Sequence, residues 1–255
     1  LCELAPTRQQ YLHLLLGRAP PVGAGVGESI QAVIARVEGA PRLTAPALTA
    51  LGGRIDASLS RTGVPLSSDD RQTIARFHRS FVDAGLALVF QAYGRPPQRG
   101  YPSLRQLLLE TDSAGRTRSY LASDPAYARI RSMHHDDHII PVVGDVAGNR
   151  ALRGIAEEMT RRGQGLSAFY VSNVEYYLWG DGTFGAFMAN LSRLPRAPRS
   201  LMIRSVFPSG FPRGLPQWLP HHYSASLTQP IERMLADVHA GRYRSYFDLI
   251  QTSAR

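Results

Sequence analysis

The spacing of apolar residues changes near the middle of the chain. Up to about residue 130, apolar residues recur three and four positions apart, which is the periodicity of amphipathic helices. From residue 139 onward, short continuous apolar runs alternate with helical stretches. Short runs rich in β-branched residues are typical of buried strands. The pattern predicts a mostly helical region over residues 1–130 and an α/β region over residues 131–255, together forming one composite domain.

Helices account for most of the elements predicted before residue 138. The first is predicted over residues 1–17, where one stripe contains Leu4, Tyr11, Leu12, Leu15 and Leu16. Further helices are predicted over residues 28–37 and, in pieces, over residues 44–92. Ser123 or Asp124 offers an N-cap for another helix that runs to Arg131.

The α/β region is predicted to run strand, helix, strand, helix, strand. The strands are IIPVVGD (139–145), LSAFYVSNVE (166–175) and SLMIRSVF (200–207), with helices over 149–165 and 183–194 between them. This order with short connections is typical of a parallel sheet. Right-handed crossovers would bring the carboxyl ends of all three strands to one edge, where open α/β sheets bind ligands. A Pro-rich loop over 208–220, a helix over 230–240 and a helical end segment over 241–250 are predicted to follow.

Polar residues lie at the predicted end of each strand. Gly144 and Asp145 close the first strand, Ser172 and Asn173 the second, and Arg204 the third. Carboxylate, amide and guanidinium groups at one edge can bind amino groups, hydroxyls or anions of a ligand. Each residue also has a structural interpretation: Asp145 can cap the next helix, Asn173 can occupy a turn, and Arg204 can pair with a surface acid.

A metal site is the alternative interpretation of HHDDH at residues 134–138. His134 and His138 are four positions apart and share one face if the segment is helical. Two imidazoles could then hold zinc with a third ligand from elsewhere. The intervening residues are not the His-Glu pair of a zinc protease, so we predict a polar segment before a strand and no metal site.

Composition narrows the classes of function. The chain is 44% hydrophobic and 19% charged, as expected of a globular protein, and no apolar run is long enough to span a bilayer. The net charge is +9, but all 29 basic residues are scattered arginines, so we do not expect a nucleic-acid-binding protein. The single cysteine, Cys2, excludes an internal disulfide and says nothing about compartment, although a cytoplasmic location is weakly favoured. The chain begins LCELAPTR, without Met, and we expect that residues upstream of Leu1 are missing.

The α/β region also resembles a known group of proteins. IIPVVGDVAGNRALRGIAEEMTRRGQGLSAFYVSNVEYYL, followed by SLMIRS, resembles an uncharacterised bacterial family with a class I methyltransferase-like Rossmann fold. The resemblance implies an α/β fold with a parallel sheet, from which this chain lacks the first two strands. It also implies that residues 1–130 are a helical insertion in the Rossmann-like domain.

The resemblance implies roles for the residues at the strand ends. Gly144, Asp145 and Ser172 would contact the cofactor S-adenosylmethionine. A second set would be catalytic, with Glu175 or Tyr176 as base or orienting group: Asn173, Glu175 and Tyr176. Tyr177 and Arg204 would face the substrate.

Two functions are therefore expected. The first is a methyltransferase-like protein that binds S-adenosylmethionine or a related nucleoside in its full-length form. The alternative is a non-catalytic Rossmann-like scaffold that binds a small ligand or a protein partner.

Overall fold

The computed structural model describes residues 1–20, 23, 27–90, 101–207 and 224–253. Within these residues the chain is mixed α/β and mostly helical, with eleven α-helices and an open three-stranded sheet. It divides into two compact units, Leu1–Ile140 and Pro141–Arg255. None of the described helices combines the length and the hydrophobicity that a bilayer-spanning segment needs. The predicted Pro-rich loop over 208–220 lies outside the described residues.

The N-terminal unit is built from helices. Three of them begin with a capping box, in which the N-cap and the third helical residue bond each other's backbone: Thr7 with Gln10, Ser67 with Asp70, and Ser103 with Gln106. The elements are α1 (Arg8–Leu15), α2 (Ile30–Gly39), α3 (Ala45–Arg61), α4 (Ser68–Ala84), a 3-10 helix (Gly85–Ala87), α5 (Leu104–Leu109) and α6 (Asp124–His135). The helices predicted over 28–37 and 44–92 are confirmed, the latter as α3 and α4.

The core of the N-terminal unit lies around α1 and α2. Its fully buried side chains include Leu12, Ile34 and Tyr127. The guanidinium of Arg8, which is also fully buried, donates to the Asp124 carboxylate at 2.7 Å and to the carbonyl of Leu121 at 3.0 Å. These bonds tie α1 to the start of α6.

The C-terminal unit combines helices with the sheet. Its elements are α7 (Ala151–Arg161), β1 (Leu166–Ser172), α8 (Val174–Gly180), α9 (Phe184–Ser192), β2 (Arg196–Val206), β3 (Ala225–Pro230), α10 (Ile231–His239) and α11 (Tyr246–Ser253). The strand predicted at 200–207 is confirmed as β2. The strand predicted at 166–175 is confirmed only as far as Ser172, because Val174 already begins α8. The helices predicted over 149–165, 183–194, 230–240 and 241–250 are confirmed as α7, α9, α10 and α11.

The sheet order is β1-β2-β3. β1 pairs with β2 in parallel, as the sequence predicts, and β2 pairs with β3 in antiparallel orientation. The register between β1 and β2 shifts after Leu166, which pairs with Arg196, whereas Ala168 pairs with Leu201. Arg199, within the extra residues, has a φ of 64°, as expected at an irregularity that lets the longer strand rejoin its partner.

One face of the sheet carries the core of the C-terminal unit. Met202 and Val206 of β2 and Leu227 of β3 are buried on this face because successive strand residues alternate sides. Helix α9 packs there through Phe187, whose ring lies 5.8 Å from that of Phe169 in β1. The opposite face includes Tyr170, which is 63% exposed.

The prediction of a strand over IIPVVGD is wrong. Residues 139–145 have no strand structure, and Ile140, Val142 and Val143 are exposed, Val143 completely. A strand needs a neighbour for its backbone groups, and within the described residues β1 is hydrogen-bonded only to β2. Pro141 also removes one donor from this segment.

The expectation of three parallel strands is therefore also wrong. The third strand is β3, which the sequence analysis missed, and it runs antiparallel to β2. Its buried residues are Ala225, Leu227 and Gln229. Only one of these three is a large apolar residue, so the alternation does not stand out in the sequence.

Candidate functional site

The corner between β1 and α8 holds four of the predicted site residues. Ser172 ends β1 with a φ of 54°, a left-handed conformation that is uncommon for a residue with a side chain. Asn173 follows and precedes α8 without capping it through its side chain. Tyr176 and Tyr177 lie on the first turn of α8 and are 57% and 50% exposed. We call Ser172, Asn173, Tyr176 and Tyr177 the β1–α8 corner.

The polar groups of the β1–α8 corner are available to a ligand. Within the described part of the chain, the side chains of Ser172 and Asn173 make no hydrogen bond, and neither do the two tyrosine hydroxyls. The ring of Tyr176 lies 5.4 Å from that of Tyr177 and 5.5 Å from that of Tyr246, in edge-to-face arrangements. These contacts fix the Tyr176 ring while leaving part of it exposed.

Glu175 and Arg204 are placed in a different environment. Both side chains are fully buried, and the Arg204 guanidinium donates to both Glu175 carboxylate oxygens, at 2.7 and 3.0 Å. Arg204 lies within β2, two residues before its end, and Glu175 reaches it from the first turn of α8. The Glu175 carboxylate is therefore closed to a substrate, because it is fully buried and both of its oxygens accept charge-assisted hydrogen bonds.

This ion pair continues into a buried polar network. Arg204 also donates to Gln229 Oε1 at 3.1 Å and to the hydroxyl of Ser253 on α11. Gln229 Nε2 donates to the Tyr243 hydroxyl at 2.8 Å, and that hydroxyl donates to Asp237 Oδ2 at 3.0 Å. We call Glu175, Arg204, Gln229, Tyr243, Asp237 and Ser253 the Arg204 network. It joins α8, β2, β3, α10 and α11.

Burial also affects two tyrosines beside this network. Desolvation raises the pKa of Tyr243 to about 12. It likewise raises the pKa of Tyr246 to about 12, with a further contribution from the negative charge of Glu175. Both phenols are therefore protonated at neutral pH and act as neutral hydrogen-bonding or packing groups.

Gly144 and Asp145 lie in the loop that precedes α7. The Asp145 side chain accepts the backbone N–H of Ala147 at 2.8 Å, so it closes its own turn. The prediction that Asp145 caps the next helix is wrong, because the N-cap position of α7 is Arg150. Asn190 holds this loop by donating to the carbonyls of Val146 and Gly148. No hydrogen bond within the described residues joins Asp145 to the β1–α8 corner.

The structure thus brings together only part of the predicted site. The strand-end residues of β1 and the tyrosines of α8 form one corner, while Glu175 and Arg204 form an ion pair inside the core. Sequence analysis missed the remaining members of the Arg204 network, because Gln229, Asp237 and Tyr243 follow no catalytic or ligand-binding spacing.

The HHDDH segment is only partly helical. Helix α6 ends at His135, and Asp137, with a φ of 52°, separates it from His138. The two histidines therefore do not share a helical face. No group of three or more His, Cys, Asp or Glu side chains placed to hold a metal occurs among the described residues.

These features define an α/β protein with an exposed polar and aromatic corner at the end of a parallel strand. A family model described as Domain of unknown function (DUF7790) matches residues 76–254, and the chain belongs to this family. The match includes all of the C-terminal unit up to residue 254 and part of the N-terminal unit. No curated protein matches the chain.

Proposed function

We propose that this protein is a small-ligand-binding scaffold with a Rossmann-like C-terminal unit, and that the ligand binds at the β1–α8 corner. One observation carries the proposal: the parallel strand β1 ends in a left-handed Ser172, followed at once by exposed tyrosine rings and by polar groups that have no partner among the described residues. Uncommon backbone conformations of this kind cluster at ligand sites. Ligands of open α/β sheets bind beyond the carboxyl ends of parallel strands.

The chemistry of the corner favours a ligand with a planar ring and hydrogen-bonding groups. Tyr176 offers an exposed ring that is held by its aromatic neighbours, and stacking on such a ring tolerates different bases. The Asn173 side chain can donate and accept at once, as a base edge or a ribose hydroxyl requires. A nucleoside combines both features.

The fit of S-adenosylmethionine, which the sequence resemblance implies, is incomplete. Ser172 and Asn173 are free to contact it, but the Asp145 carboxylate is engaged by the backbone of Ala147. Glu175, the candidate base, is buried against Arg204. These observations support binding without catalysis over a mechanism that uses Glu175.

Calorimetric titration with adenosine and with S-adenosylmethionine tests the proposal. We expect both to bind, and Tyr176→Ala and Asn173→Ala each to weaken binding by tenfold or more, because each removes a principal contact. Tyr101→Ala, which removes an exposed tyrosine of the N-terminal unit, is the matched control and should bind as the wild type does. The absence of heat at millimolar concentrations of both ligands would rule out the proposed site.

Methyl transfer is the second candidate, and it is supported by the sequence resemblance to methyltransferase-like proteins. Methyl transfer depends on in-line positioning more than on an acid or a base, so the burial of Glu175 does not by itself oppose it. Release of S-adenosylhomocysteine, in assays with protein, nucleic-acid and small-molecule acceptors, would support this candidate. Binding of S-adenosylmethionine with no release from any acceptor supports the scaffold.

A further inference from the structure

A groove of about 650 Å³ lies between α3 and α4 of the N-terminal unit. The structure describes both helices throughout, and in this range Leu51 is the only buried residue of α3, while no residue of α4 is buried. An amphipathic helix normally buries its apolar stripe against another element. The side of the helix pair that opens into the groove is therefore left uncovered by the part of the chain that the structure describes.

The residues that line the groove repeat at the spacing of a helical bundle. On α3 they lie alternately three and four positions apart: Ala45, Leu48, Gly52, Ile55 and Leu59. On α4 spacings of four and three join another set: Arg71, Ala75, His78 and Val82. This alternation keeps a stripe on one side of a helix and is typical of helices that pack lengthwise against other helices. The groove is therefore suited to helices that lie along it.

The middle of the groove is open. Gly52 and Ala75 lie there, each four residues from the ion pair between Asp56 and Arg71 that joins the two helices. Both are exposed, and a Cβ atom placed on Gly52 would meet nothing within 4 Å. A partner can therefore approach the backbone of α3 closely at this level.

The size of the exposed face is close to that of a protein–protein interface. Each helix has 17 residues and is about 25 Å long, and two helices side by side are about 20 Å wide. Their flat area of about 500 Å², which the walls of the groove enlarge, approaches the roughly 800 Å² per partner that a stable complex buries.

Each end of the groove carries one acid and one arginine. Asp56 and Arg71 lie near the connection between the helices and pair with each other. Arg79 and Asp83 lie toward the other end and have no ionic partner among the described residues. A two-fold related copy would gather two acids and two arginines at each end of the interface, whereas a strongly acidic or basic partner would leave charges unmatched. The charge pattern thus favours a second copy of this chain.

We propose that the groove is the interface of a homodimer, in which α3 and α4 of one copy pack against α3 and α4 of the other as a four-helix bundle. Such an interface is isologous, because both copies use the same surface. The proposal does not rest on ligand binding at the β1–α8 corner, since all of the groove residues belong to the N-terminal unit.

Sedimentation equilibrium of the whole chain tests whether the dimer forms. We expect a mass of twice the 28.0 kDa of one chain at micromolar concentration. The mass of a single chain up to millimolar concentration would overturn the proposal and would leave the groove to a different partner.

The key variant is Gly52→Glu. In a single chain the new carboxylate reaches water, and replacing a glycine inside a helix favours the helix, so this variant should fold at least as well as the wild type. In the dimer it brings two like charges into the middle of the interface, so self-association should weaken by about a hundredfold or more.

Gly53→Glu is the matched control for this variant. Gly53 is also exposed with empty space beside it, but it does not line the groove, so the control should dimerise as the wild type does. If Gly52→Glu dimerises as tightly as Gly53→Glu, the copies meet elsewhere and the proposal is wrong.

Hydrogen exchange locates the interface without any substitution. Amides of α3 and α4 should exchange more slowly above the dimerisation concentration than below it, because the dimer covers both helices. Amides of α7, in the C-terminal unit, should not change. Protection that rises with concentration outside α3 and α4, and not within them, would refute the assignment.

Discussion

The buried ion pair between Glu175 and Arg204 gives the sharpest test of the structure. Glu175→Gln removes the negative charge but keeps the shape of the side chain. The guanidinium of Arg204, which is fully buried, then loses the negative charge that faces it at 2.7 and 3.0 Å. The amide oxygen can still accept one hydrogen bond, but the amide NH2 is a donor that faces another donor. Gln229 and Ser253 remain as neutral partners of the charge.

The expected loss of stability in Glu175→Gln follows from the burial of the ion pair. Removing one partner of a buried ion pair typically destabilises a protein by about 3–5 kcal/mol, because the other charge is left without compensation. A domain has a total stability of about 5–15 kcal/mol, so Glu175→Gln should remove a large part of it. Urea unfolding followed by tryptophan fluorescence is suitable, because Trp179 lies on α8 in the C-terminal unit.

Two comparisons make this test decisive. The double variant Glu175→Leu with Arg204→Met replaces the pair by apolar side chains and should recover most of the loss, as apolar replacements of buried pairs often do. Glu158→Gln removes an exposed carboxylate that pairs with Arg161, and water screens that pair, so the urea midpoint should hardly move. A loss below about 1 kcal/mol in Glu175→Gln, or no recovery in the double variant, would refute the buried-pair argument.

Three further predictions test the packing and the loops. Phe187→Ala, at a fully buried ring between β1 and α9, should destabilise the C-terminal unit by about 3–5 kcal/mol in urea unfolding, and a smaller loss would contradict its place in the core. Hydrogen bonds from Gly27 and Arg8 lower the pKa of Asp124, so the contribution of this carboxylate to stability is present above its ordinary pKa of 3.8 and is lost as the pH falls below that value. Asp124→Asn should therefore make the free energy of unfolding depend less on acid pH, and an acid transition equal to that of the wild type would contradict this prediction. Val143→Thr should leave stability within about 0.5 kcal/mol, because the side chain is exposed, whereas a loss above about 2 kcal/mol would indicate the buried strand that the sequence predicts.

The sequence predicts β1, β2, α9 and α10 because their packing follows their own residue patterns. β1 and β2 are short apolar runs, and α9 places Phe187 and Leu191 one turn apart on the buried face. The spacing of apolar residues within one segment is enough to predict which side of the segment is buried, whatever element packs against it.

The same reasoning fails where an element depends on its neighbour. IIPVVGD has the composition of a buried strand, yet composition does not supply a partner strand, and in the structure this segment is exposed. β3 shows the reverse case. Its backbone bonds to β2 over six register pairs make it a strand although Gln229 and Ala225 give it little apolar character. Sheet membership is set by long-range pairing, which a local pattern does not encode.

In the candidate site, too, the sequence predicts what is local and misses what depends on contacts between distant residues. Ser172, Asn173 and the tyrosines of α8 are contiguous in sequence, so their position after β1 is predicted once β1 is recognised. The pairing of Glu175 with Arg204 joins residues 29 positions apart on different elements. Arginine is normally preferred over lysine at buried ion pairs, and this preference often helps to locate them. Here every basic residue is arginine, so the sequence does not distinguish Arg204 from the 28 others, and only the approach of Glu175 on α8 to β2 in the fold selects it.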